Sequence, residues 1–227
     1  MLLIRIIHVL SLGLWFGAAV FFSFPVALSL FGTLEGEARK PAAERPVWLP
    51  LPEHFAKDPQ AWPPGGAEQP LFADAEQLRK EQGTRAAGAA ISPMFDAYFF
   101  VQGACSILAL GTALAWWKAT PGRALHRARV VVLLLALLAV SAGLPLEQKV
   151  SKLRVERAQA ADKVLDAAPH FTAAEYESAA QCRAEFGRLH FYSLLLNFAT
   201  LALVTTAMAL AAQLPLPGAA PPSILFS

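Results

Sequence analysis

The stretch Leu189-His190-Phe191-Tyr192-Ser193-Leu194-Leu195-Leu196-Asn197-Phe198-Ala199-Thr200 opens a run without a charged residue that continues to Ser227. Bilayer hydrocarbon is about 30 Å thick, and about 20 helical residues cross it. The part from Leu189 to Gln213, ahead of a Pro-rich tail, has that length. Residues 6–34, 97–117 and 130–146 are likewise free of Asp, Glu, Lys and Arg. The pattern predicts four spans, at about 2–31, 92–117, 128–146 and 189–213. The expected fold is all-α, an integral membrane four-helix bundle forming a single membrane domain over 1–227.

The composition agrees. Only 16% of the 227 residues are charged, against roughly 25% in soluble domains, and the mean hydropathy is +0.44. The net charge of +2 is too small for a nucleic-acid binder. A soluble enzyme, a disordered chain and a disulfide scaffold are all excluded by the spacing of the charges. Cys105 sits in an apolar run and Cys182 in a polar one, so two unpaired thiols are expected. There is no C-x-x-C for a zinc knuckle or covalent haem. No P-loop, nucleophile elbow, H-E-x-x-H or dinucleotide fingerprint occurs, which argues against hydrolytic or nucleotide-driven chemistry.

The first apolar stretch exceeds a signal peptide's usual ~7–15-residue core and holds His8, Trp15 and Pro25, so it reads as a retained span kinked at Pro25. Ser92-Pro93 predicts an N-cap and first helical residue for the second span, and Pro145 a stop for the third. Residues 32–91 form an extramembrane insertion with eight prolines over 41–70, extended and lying against the bilayer through Trp48 and Trp62. Pro70 then opens an amphipathic helix with Leu71, Ala75 and Leu78 on one face. Residues 146–188 are a polar helical connection with Val150, Leu153, Arg157, Val164 and Ala168 near heptad spacing. Pro169 interrupts it, and Thr172-x-x-Glu175 predicts a capping box leading into the last span. Lys118, Arg123 and Arg127 in the short connection, without an acid, put that loop and both termini inside, in the cytoplasm of a bacterial inner membrane. Lys149, Lys152, Arg154 and Arg157 beyond the third span pull against this orientation.

Polar groups at membrane depth are costly and mark either packing seams or function. His190, Ser193, Asn197 and Thr200 recur at i, i+3, i+7 and i+10, one helix stripe. Read as a seam they hydrogen-bond neighbouring helices; read functionally, His190, Ser193 and Asn197, with Asp96 nearby, line a ligand or ion pathway. Asp96 also suits the first turn of the second span, where the helix dipole favours a carboxylate. Gly13-x-x-x-Gly17 predicts close helix packing. His8 begins the first span and His190 the fourth, near opposite faces, so one metal or haem held by both is not expected. Two groupings remain: His8 with His126, Lys118 and Arg5 at one end, and His190 with Asp96 and Glu147 at the other. His8 and His126 are the cofactor candidates, since imidazole binds haem iron, copper or zinc.

The run from Ile7-His8-Val9 through Trp15-Phe16-Gly17 to Phe24-Pro25 resembles the first span of the transmembrane-protein-205-like family. Phe186-Gly187-Arg188-Leu189-His190 through Ser193 to Asn197 resembles that family's "F-x-x-L-H-x-x-S-x-x-x-N" approach to the last span. The resemblance covers the four spans and not residues 35–90. It implies a four-helix membrane bundle, and the animal relatives' association with platinum resistance hints at metal or drug handling. The "His … Trp-x-Gly" pattern is more distantly similar to copper-resistance D proteins and to haem-binding protoporphyrinogen oxidases, which implies haem b at His8. Phe24-Pro25-Val26 lacks the arginine those oxidases carry after the proline. The leading expectation is a non-enzymatic membrane protein handling a metal ion or small molecule. The alternatives are an accessory subunit of a larger membrane complex, docking through 32–91 and 146–188, or a haem-binding redox protein. Expected partners are the lipid bilayer and other membrane subunits or further copies of the chain, and not nucleic acid.

Overall fold

A computed structural model describes residues 2–49, 71–72, 75–119, 124–167 and 170–213. Helix α1 (Leu2–Phe21) passes through a π-helical turn (Phe22–Val26) into α2 (Ala27–Arg39). A short 3-10 turn (Ala42–Glu44) follows. Helices α3 (Ala75–Ala119), α4 (Ala124–Ala167) and α5 (Ala173–Ala212) complete the fold. Among the described residues there is no strand. Four helices, counting Leu2–Arg39 as one, are long and apolar enough to cross a membrane.

The predicted interruptions are resolved differently. Pro25 lacks the N–H for an i→i−4 bond, and the wider π turn absorbs the defect without ending the helix. Pro93 does not start a helix, and Pro145 does not stop one: both lie inside, in α3 and α4. The amphipathic helix foreseen after Pro70 and the second span are thus one 45-residue rod, about 68 Å long at 1.5 Å per residue. Contacts beyond the apolar belt explain the continuity. Arg85 reaches Asp162 at 2.5 Å and Glu81 at 3.2 Å, and Arg157 also pairs with Glu81. Arg154 donates to the Gly88 carbonyl and to Ser92 Oγ, so Ser92 accepts from α4 where a helix N-cap had been expected. These bonds join the polar ends of α3 and α4 and outweigh one missing backbone bond per proline.

Two apolar clusters anchor the rods. Leu12, Trp15, Cys105, Leu133, Val140 and Val204 fill the main core, and Ala109, Ala113, Ala136 and Ala207, fully buried, let the helices approach closely. Phe72, Leu78, Ala161 and Leu165 form a second cluster under the polar ends, with Leu71 packed against it. Leu71 precedes the helix and shares no helix face with Leu78, and the Ala75 side chain lies outside the described residues. Outward positions in the charge-free stretches are large and apolar, among them Val9, Leu10, Phe100, Ile107, Leu138 and Leu195. The Thr172 capping box forms: Oγ1 accepts from the Glu175 amide at 3.3 Å, and the Glu175 carboxylate accepts from the Thr172 amide at 2.8 Å.

Gly13 and Gly17 do not pack helices within this chain. A Cβ at either would meet nothing within 4 Å, because His8, Ser11, Trp15 and Ala19 define the inward face and the glycines fall opposite. The close approach is at Gly83 instead, where a Cβ would lie 2.5 Å from Glu35 Cα and 2.6 Å from the Leu34 carbonyl. Cys105 is buried and Cys182 half-buried, and neither is bridged.

Candidate functional site

Ser193, Asn197 and Thr200 of the α5 stripe face a cavity of about 460 Å³ bounded by the π turn, α2, α3, α4 and α5, and His190, exposed, stands at its edge. Most of its wall is apolar, with the rings of Phe22, Phe95, Phe99 and Phe198 among the lining. Its polar part is tightly specified. Tyr98 Oη donates to Asn197 Oδ1 at 2.6 Å, and Asn197 Nδ2 donates to Ser23 Oγ at 2.6 Å. Phe22 stacks on Tyr98 with ring centroids 4.3 Å apart. Nearby, Trp15 Nε1 donates to Gln102 Oε1 at 3.2 Å, closing a buried α1–α3 bond. The π turn is what brings Ser23 into this arrangement, so the backbone irregularity sits at the site itself.

Toward the polar ends the cavity acquires charge. Ser193 Oγ donates to Glu147 Oε2 at 3.1 Å, and Glu147 Oε1 lies 3.7 Å from Arg154 Nη2. His190 stacks on Phe186 at 5.5 Å with nearly parallel rings, and the Arg157 guanidinium lies over Phe186 at 4.7 Å. Burial pulls the pKa of Arg154 and Arg157 below the ordinary guanidinium value; Glu147 and Glu81, respectively, oppose the shift. The result is a space lined in part by aromatic rings, with one hydrogen-bonded polar wall and a rim where Arg85, Arg154 and Arg157 are ion-paired with Glu81, Asp162 and Glu147. Such a space is inside the size range of small-molecule pockets and combines an apolar lining with polar groups on one side.

His190, Ser193 and Asn197 all border this cavity, and so does Glu147. Asp96 does not. It is exposed and borders a separate space of about 280 Å³ with Gln148, Ser151 and Lys152, to which Glu147 also contributes. The reason is helical phase: Tyr98 points inward, and a residue two positions earlier lies about 200° around the helix. Ser23 and Arg154 were not singled out as site residues. The only local signal for Ser23 is its place two residues before Pro25 in an otherwise apolar stretch.

At the opposite end His8 and His126 meet around one indole. Trp116 lies 6.2 Å from the His8 ring and 5.9 Å from that of His126. The guanidiniums of Arg5 and Arg129 sit over the same indole, at 4.5 and 4.7 Å. His8 Nδ1 is 3.1 Å from the Ala109 carbonyl and 2.8 Å from Thr112 Oγ1. The carbonyl only accepts, so Nδ1 carries the proton and Nε2, buried without a partner, presents its lone pair. His126 Nδ1 accepts from Arg129 Nη2 at 3.3 Å. One unengaged imidazole nitrogen beside a stacked guanidinium is a poor donor set for haem iron. Among the described residues no group of three or more His, Cys, Asp or Glu is placed to hold a metal ion. The Lys118 side chain, expected here, and Arg123 lie outside the description. No family model, curated protein or solved structure matches the chain.

Proposed function

We propose that the chain is a non-enzymatic integral membrane protein that binds a small amphipathic molecule in the cavity between its four apolar helices. The observation that carries this is the space itself: about 460 Å³, mostly apolar in its lining, with the Tyr98–Asn197–Ser23 bonds on one side and ion-paired arginines at its rim. The outward belt of Val9, Leu10, Phe100, Ile107 and Leu138 supports the membrane setting, since water would not tolerate so continuous an apolar surface. The basic α3–α4 connection supports an orientation with both termini in the cytoplasm. The likeness of the first and last spans to transmembrane-protein-205-like proteins, with its hint at metal or drug handling, is compatible with this reading.

The test is binding of a fluorescent-tailed amphiphile to the full chain in lipid nanodiscs, compared with Ala139→Phe, which places a ring in the cavity. Saturable binding to the wild type that falls at least tenfold in the variant supports the reading. Equal binding to protein-free nanodiscs contradicts it.

A further inference from the structure

The half of the bundle that holds the N-terminal end of α1 and the α3–α4 connection contains no acidic side chain in its apolar helices. The first acid in the sequence is Glu35, none occurs between Asp96 and Glu147, and none follows Glu185. Yet Arg129 is fully buried there, 0% exposed, at the start of the third apolar stretch. Its Nη2 faces His126 Nδ1, while Nε and Nη1 have no hydrogen-bond partner. A buried guanidinium stays charged and is costly unless an anion or a full set of acceptors surrounds it. The indole of Trp116 supplies cation–π attraction to Arg129 and to Arg5 together. It offers no acceptor oxygen, and it gathers two cations that repel each other.

We infer that Arg129, with Arg5 beside it on Trp116, forms an oxyanion site for a phosphate group, distinct from the amphiphile cavity. Neither of the cavities described above is bordered by these residues. Phosphate suits the donors: planar guanidinium N–H pairs match two of its oxygens, and its charge offsets the enclosed Arg129 cation. A guanidinium that merely anchored the helix at the interface would extend its head into water, whereas this one is enclosed. The phosphate comes either from a lipid headgroup at the membrane edge or from a free oxyanion in solution.

The experiment follows thermal unfolding of the full chain in a phosphate-free maltoside detergent at constant ionic strength. Inorganic phosphate is titrated against chloride, and phosphatidylglycerol against an uncharged glycolipid. The wild type is expected to gain about 5–10 °C at saturation, Arg129→Lys part of that, and Arg129→Met none. A gain with inorganic phosphate identifies a free oxyanion as the source; a gain confined to phosphatidylglycerol identifies the headgroup. No gain in the wild type with either, or an equal gain in Arg129→Met, overturns the site. Should Arg129→Met fail to fold, the wild-type titrations and Arg129→Lys decide the matter alone.

Discussion

Asn197 in α5 donates its side-chain amide to Ser23 Oγ at 2.6 Å, tying the last helix to the π turn of the first across 174 positions of sequence. The same amide accepts from Tyr98 Oη of α3. One side chain thus joins three helices at the wall of the cavity. Asn197→Leu removes both bonds and leaves a tyrosine hydroxyl and a serine hydroxyl to find new partners. The expected loss is about 1–2 kcal/mol, measured by reversible unfolding in mixed micelles. Ser29→Leu, at an exposed position, should change stability by less than about 0.5 kcal/mol.

Gly83 and the Gly13/Gly17 pair should behave oppositely. A methyl at Gly83 meets backbone atoms of α2 that cannot rotate away, so Gly83→Ala must push α2 and α3 apart, at about 1–3 kcal/mol. Gly13→Ala and Gly17→Ala enter open space and should be neutral, or stabilising by up to about 1 kcal/mol through helix propensity. Thermal unfolding of the three variants checks the contrast.

Glu81 is the acid on which Arg85 and Arg157 converge, and its side chain is nearly enclosed. Glu81→Gln leaves two arginines competing for Asp162 and backbone carbonyls. The expected cost is about 3 kcal/mol, and hydrogen exchange should rise along the polar ends of α3 and α4 while the apolar core stays protected.

The start of α5 should loosen in acid. The Thr172 backbone amide, then its hydroxyl, hold the Glu175 carboxyl below its ordinary pKa of 4.5. A carboxyl with a lowered folded pKa contributes stability that is complete above the unfolded value and is lost as pH falls through the folded one. Amide exchange in the first turn of α5 should therefore rise as pH falls through the lowered Glu175 pKa, and Glu175→Gln should remove that dependence.

Features set by local chemistry could be read from the chain. The capping box needs only Thr172 and Glu175, and the α5 stripe only the helical period, so both stand in the structure where the residues place them. Features set by partners across the bundle could not. Pro93 and Pro145 look like boundaries until Arg154 is seen bonding Gly88 and Ser92, and the burial of Arg129 depends on Trp116 in another helix. Two corrections were within reach of phase alone. Tyr98 and Asp96 cannot share a face of α3, nor can Gly13 share one with Ser11 and Trp15 in α1, once the inward residue is known.

Orientation can be read from the native thiols. If the polar ends of α3–α5 lie outside, an impermeant maleimide should label half-buried Cys182 in intact cells and leave buried Cys105 unmodified. Labelling of Cys182 only after permeabilisation would reverse the orientation without altering the fold.

The most direct measurement of the central claim is native mass spectrometry of the full chain released from membranes with the mildest detergent that solubilises it. A discrete adduct of a few hundred daltons is predicted on the wild type, lost in Ala139→Phe and weakened in Asn197→Leu. A wild-type spectrum showing only the bare protein mass, unchanged after incubation with amphiphiles of that size, would contradict a ligand-binding role for the cavity.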